Sequence, residues 1–254
     1  MIPDSSGSGP PPAEPNDRPL RRADAAQPHG AQPPAAQAHG AQPPAAQPHG
    51  AVRAHAAERA GKMVGRVQRR LRRSGVEPAV AGRILAVVDA ALDHRCDLVD
   101  DDHDHRLLHP ARTVLVLMDD HGVVDPFLLK AGAALETRFP DMALPGERRI
   151  GLGMEPGPLD RLPDPGWSGD EDDAGLLEEL VSLDPGLLTV ALAEALDQIR
   201  HLHVEPGRPA LGRGAVLARD VYRPLAHRVD PDGAGLARRF DWWLRRVGRG
   251  VLSD

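Results

Sequence analysis

Residues 91–139 read ALDHRCDLVDDDHDHRLLHPARTVLVLMDDHGVVDPFLLKAGAALETRF, and this stretch decides the fold. His109-Pro110 opens an apolar helix, because proline is favoured in the first helical turn. Leu107, Ala111, Val114, Leu115 and Met118 recur there at helical spacing. A Gly-containing turn, His121-Gly122, follows. Asp125-Pro126 then starts a second helix, its carboxylate placed to cap the first free N–H groups. That helix runs through Leu128, Ala131 and Leu135.

The same period continues on both sides. Upstream, Ala60, Met63, Val64, Val67 and Leu71 form one stripe, and Ile84, Leu85, Val88, Ala91 and Leu92 form another. Downstream, Asp184-Pro185 repeats the start signal before Leu188, Ala191, Ala195, Ile199 and Leu202. Val216, Val221, Tyr222 and Leu225 mark a further helix. Leu236, Phe240, Trp243, Leu244 and Val247 mark the last. No period-2 alternation of a half-buried strand interrupts them. Residues 140–173 are rich in Pro, Gly and Asp and read as a long loop. The expected architecture is an all-α helical bundle over residues 52–254.

Residues 1–51 differ in kind. Residues 1–50 hold 12 of the 26 prolines and no aromatic residue, too little apolar surface to offset the entropy of ordering. A ten-residue repeat (AQPHGAQPPA, AQAHGAQPPA, AQPHGA) spaces His29, His39 and His49 evenly. The segment reads as a disordered Pro/Ala/Gln-rich tail with polyproline II bias. The net charge of -6 argues against a globally basic nucleic-acid binder. The single cysteine, Cys96, excludes an intramolecular disulfide framework and a Cys-based zinc finger. No apolar run approaches the roughly 20 residues that span a bilayer. The N-terminus lacks the pattern of a secretory signal. These features together imply a cytoplasmic protein with no membrane partner.

Several spacings in 80–229 act together. His94 lies upstream of the His109-Pro110 step. Ala193-Glu194-Ala195-Leu196-Asp197-Gln198-Ile199-Arg200 follows later, and VYRPLAHRV occupies 221–229. This set resembles the HD-domain superfamily, specifically the hydrolase domain of the RelA/SpoT alarmone enzymes. In that family a histidine precedes the HP step, and the next helix ends in a His-Asp doublet. A later ADRLxNxR-like helix supplies an aspartate, and a PLAxR stretch follows it. The resemblance implies an all-α HD-type domain. It also implies a divalent metal, usually Mn2+, that activates water against a phosphate ester or pyrophosphate.

The departures are specific. The doublet aligns with Glu136-Thr137, and the Glu-Asp pair after it with Pro140-Asp141. The aspartate of the later helix aligns with Glu194, and its asparagine with Gln198. On this alignment the metal set is His109, Glu136, Glu194 and His94. Glu136 and Glu194 are the candidate catalytic carboxylates, and Arg200 and His201 are the candidate phosphate contacts. Glutamate oxygens suit a hard cation, but Thr137 is a poor ligand and Pro140 cannot move a proton. Binding of Mn2+ or another divalent metal is therefore expected to be weak. The leading expectation is a catalytically degenerate pseudoenzyme that binds a nucleotide or a protein partner. The first alternative is a metal-dependent phosphohydrolase acting on a nucleotide or alarmone. The second is a protein-interaction module using the C-terminal Trp/Arg helix, with Trp243 exposed.

His103-Asp104, within Asp100 to His105, reads either as a displaced metal site or as a solvated acidic loop. Arg66, Arg69, Arg70, Arg72 and Arg73 end the first helix, and Arg238, Arg239, Arg245 and Arg246 lie on the last. They read as polyanion-binding patches or as solvated faces opposite apolar stripes. Trp242 falls off the stripe that carries Trp243.

Overall fold

In a computed structural model, the structure describes residues 49–248 apart from 102, 156, 158, 160–161, 164–166, 168–172 and 203–207. The repeat tail lies outside the described residues. So does His203. Among the described residues every regular element is helical.

The helices are α1 (His49–Arg73), α2 (Pro78–Cys96), α3 (His109–Asp120), α4 (Pro126–Ala134) and α5 (Gly146–Gly151). They continue as α6 (Asp173–Ser182), α7 (Pro185–His201), α8 (Arg208–Leu217), α9 (Arg223–Val229) and α10 (Leu236–Trp243). Acid-proline pairs start three of them. Glu77 accepts from the N–H groups of Ala79 and Val80, Asp125 from Phe127 and Leu128, and Asp184 from Gly186. Each carboxylate satisfies donors that have no partner inside the helix. Gly75 ends α1 in the left-handed region, at φ +72. The N–H of Val76 donates to the carbonyl of Leu71, and that of Gly75 to Arg72. This is a Schellman closure, and it returns the chain so that α2 packs on α1.

Helix α7 is the axis of the bundle. Every residue from Leu188 to Ile199 is buried, and α3, α4, α9 and α10 all pack on it. A helix covered on all sides is expected to be apolar all round. This one nevertheless carries Glu194, Asp197 and Gln198, whose spacing puts them on neighbouring turns of one face.

Two segments differ from the sequence reading. The expected loop 140–173 contains a 3₁₀ turn (Pro140–Met142) and α5, and α6 begins at its end. Met142, Leu144, Met154 and Leu159 are buried, so apolar anchors spaced through a Pro/Gly-rich stretch hold it to the core. The helix expected around Val216 to Leu225 is one rod with a π turn at Ala218–Tyr222. Pro224 follows that turn, and its missing N–H and its ring favour a locally widened helix.

Helix α10 is docked by close backbone approach. A Cβ at Gly235 would fall 1.9 Å from the carbonyl oxygen of Asp120, so only glycine lets the start of α10 meet the end of α3. Gly235→Ala is therefore expected to destabilise the protein by about 1–3 kcal/mol. Gly82→Ala, exposed in mid-α2 with nothing near its Cβ position, is expected to stabilise by about 0.5–1 kcal/mol. Urea denaturation of both variants checks the pair.

Candidate metal and charge centre

Three elements bring charge into the core. Helix α3 places His109, Arg112 and Thr113 at its start, facing α7. Helix α7 contributes Glu194, Asp197 and Gln198. The turn after α4 brings Glu136, and the last turn of α2 brings Arg95. His109, Arg95, Glu194 and Asp197 are each exposed by 2 % or less.

Asp197 lies at the middle. His109 Nδ1 is 2.8 Å from Asp197 Oδ2, so Nδ1 carries the proton and donates it. Arg112 forks onto the same carboxylate, with Nε 2.9 Å from Oδ1 and Nη2 2.8 Å from Oδ2. Burial alone would raise the Asp197 pKa, but Arg112 and His109 outweigh it and hold the carboxyl far below its ordinary value.

The other edge of the imidazole faces two glutamates. Nε2 of His109 lies 3.8 Å from Glu194 Oε1 and 4.0 Å from Glu136 Oε2. It is buried, with no hydrogen-bond partner among the described residues. One donor atom from each of His109, Glu136 and Glu194 falls within 4.8 Å of the others. An imidazole and two carboxylates at that spacing could hold a metal ion. The Nδ1–H···Asp197 bond fixes the tautomer that such a ligand requires.

The two glutamates are held differently. Glu136 Oε1 accepts from the N–H groups of Arg138 and Phe139 at 3.0 Å each and from Gln198 Nε2 at 2.8 Å. Arg95 Nη2 donates to Glu136 Oε2 at 2.6 Å. Burial opposes ionisation here too, yet His109 and Arg95 bring the Glu136 pKa below normal. Glu194 accepts from the Thr137 N–H at 3.2 Å and from the Thr137 hydroxyl at 3.0 Å. Burial raises its pKa, His109 lowers it, and the neighbouring Glu136 charge raises it again, so Glu194 holds its proton more tightly than a free glutamate. Above this pair Arg138 stacks between the rings of Phe139 and Trp167, at 4.9 and 4.8 Å. Arg106 lies over Phe139 at 5.0 Å.

The structure places the residues singled out in the sequence as follows. His109, Glu136 and Glu194 come together. His94 does not join them. It sits half-buried on α2, while its neighbour Arg95, turned by about 100° around the helix, enters the core instead. The Asp100–His105 run forms no second centre among the described residues. Asp104 caps the turn at His105–Leu108 and forks with Arg106 at 2.6 Å, while His103 is exposed. His201 donates from Nδ1 to the Asp197 carbonyl at 2.7 Å and stacks on His105. Burial and then Arg112 push its pKa down. Arg200 is exposed. Trp243 is not exposed, as the interaction-module expectation required. It is buried with Leu236 and Phe240 on one face of α10, and Trp242 is the ring left 51 % exposed.

Arg95 and Arg112 were not singled out from the sequence, and Asp197 was read only as part of a motif. Arg112 and Asp197 left a partial signal, each a formal charge in a mainly apolar helical stretch where a buried charge must be paired, whereas Arg95 sits among Asp93, His94 and Asp97 and left none. Compared with protein-family models, curated proteins and solved structures, the chain finds no match.

The geometry separates the carboxylates in a testable way. Asp197→Asn strands Arg112 and is expected to cost about 3–5 kcal/mol at neutral pH. A depressed folded-state pKa stabilises above the unfolded value of about 4 and is lost as pH falls below it. The gap between parent and variant should therefore narrow in acid. Glu136→Gln strands Arg95 and is expected to cost a similar amount, whereas Glu194→Gln, which resembles the protonated acid, should stay within about 1 kcal/mol of the parent. Chemical denaturation across pH measures all three.

Proposed function

We propose that the chain is an HD-domain-like helical protein without the metal chemistry of the fold it resembles, and that it works by binding a nucleotide or a protein partner. The observation that carries this reading is Arg95. Its guanidinium sits 2.6 Å from Glu136 Oε2, the oxygen that also faces His109 Nε2. A fixed internal cation thus stands on the carboxylate that a divalent ion would use. Charge balances without further help: Arg95 offsets Glu136, Arg112 offsets Asp197, and Glu194 tends toward its neutral form. The donors are also sealed, with the side chains of His109, Glu136 and Glu194 exposed by 2 % or less. A phosphate ester would have to displace packed side chains to reach them.

A second reading, a metal-dependent phosphohydrolase, is favoured by the donor cluster of His109, Glu136 and Glu194 and by the buried Nε2 of His109, which has no hydrogen-bond partner among the described residues. His109, Glu136 and Glu194 would hold the ion. Mn2+ bound there would supply an activated water. The chain's own part would be to fix the imidazole, with Asp197 accepting from Nδ1 and Arg112 holding Asp197 in place.

Calorimetric titration of the full chain with MnCl2, run beside His109→Ala, separates the two. The repeat histidines are common to both proteins, so only the difference counts. The first reading expects no difference and no release of phosphate from nucleotides. A saturable Mn2+ site lost in His109→Ala, together with Mn2+-dependent phosphate release, would replace it with the second.

A further inference from the structure

The edge of His109 that faces Asp197 leads to a second feature. Arg112 reaches Asp197 with its guanidinium and also lines a cleft of about 240 Å³ between α1, α3, α7 and α10. The floor is aliphatic, made by Met63, Leu108, Leu115 and Val116. The rim is basic, made by Arg66, Arg112, Arg200 and Arg239.

Asp119 and Asp120 also line this cleft, but both are already engaged. Asp119 pairs with Arg70, and Asp120 pairs with Arg239 at 2.8 Å. Arg112 is taken by Asp197 at 2.8 Å. Arg66 and Arg200 have no ion pair or hydrogen bond among the described residues, and both are exposed. Two uncommitted guanidinium groups from different helices therefore rim one apolar-floored cleft in a chain whose net charge is -6. Guanidinium forks match the oxygens of phosphate, and two of them match a dianion. The cleft is smaller than the roughly 300–1,000 Å³ of drug-sized pockets, which suits one phosphate and a compact organic body better than a polyphosphate.

We infer that this cleft binds an organic phosphate monoester of about nucleoside monophosphate size, its phosphate between Arg66 and Arg200 and its body on the Met63, Leu108, Leu115 and Val116 floor. The inference rests on the reading of the chain as a ligand-binding protein and gives that reading a site and a ligand class. The site is separate from the His109 Nε2 face and shares with the buried network only Arg112.

The test is calorimetric titration of the full chain at low ionic strength with AMP, GMP, ribose 5-phosphate, inorganic phosphate and adenosine. At least one of the three organic phosphates is expected to bind saturably at one site, about tenfold or more tighter than inorganic phosphate, with adenosine not binding. The double variant Arg66→Ala/Arg200→Ala removes only exposed, uncommitted side chains. It is expected to keep the parent circular dichroism and to lose at least about tenfold in affinity, the size of one charge-assisted contact of about 1.4 kcal/mol. Arg69→Ala/Arg72→Ala, which removes the same charge from α1 outside the cleft, is expected to bind like the parent. Absence of saturable binding by all three organic phosphates would overturn the inference. So would inorganic phosphate or adenosine binding as tightly, or equal loss in the two double variants. Phosphate release from AMP in the presence of Mn2+, with binding at the cleft intact, would instead overturn the non-catalytic reading alone. No binding and no release would overturn the cleft and leave the non-catalytic reading standing.

Discussion

Asp197 lies wholly buried near the end of a helix that is itself the axis of the bundle, and a carboxylate there keeps its charge only if the surrounding elements supply positive charge in the right place. Arg112 and His109 do so from α3, which fixes the rotation of α3 against α7. Arg95 does the same for Glu136 from α2, and it also donates to the Arg106 carbonyl at 2.6 Å. That second bond ties the end of α2 to the turn before α3. Buried ion pairs of this kind add little net stability compared with apolar packing, but breaking one strands a charge at high cost. In this bundle they tie α2 to the turn after α4 and α3 to α7.

The same network decides what the centre can do. A histidine with one edge committed to a carboxylate and the other facing two glutamates has the donor chemistry of a metal ligand. The opposing feature is a guanidinium on the very carboxylate an ion would share. One charge at 2.6 Å, already paired and already desolvated, competes with an ion that would have to shed water to enter. The arginine is covalently present at every moment, whereas a dissolved ion must bind. Arg66 and Arg200, on the outer face, have no ion pair or hydrogen bond among the described residues.

Much of the fold was legible in the sequence. Asp125-Pro126 and Asp184-Pro185 marked two helix starts, and the stripe Leu236, Phe240, Trp243 marked the buried face of α10, because capping and helical period are local physics. Helix α6 and the anchors Met142, Leu144, Met154 and Leu159 were not legible. Proline and glycine dominate that region's composition, and which side chains enter a core is a tertiary matter. At the site, His109, Glu136 and Glu194 were named through the family resemblance. His94 was misplaced in favour of Arg95, since a one-residue shift on a helix changes which side chain faces inward. Which buried charge answers which, Arg112 to Asp197 and Arg95 to Glu136, needs three dimensions.

Arg95 stands at Glu136 where a cation would stand. Thermal unfolding of the parent and of Arg95→Met, each with and without Mn2+, tests it most directly, since methionine keeps an unbranched side chain and removes the charge. The account predicts a parent midpoint indifferent to Mn2+, and a lower Arg95→Met midpoint that Mn2+ raises. A parent midpoint raised by Mn2+, with Arg95→Met responding no more strongly, would contradict it.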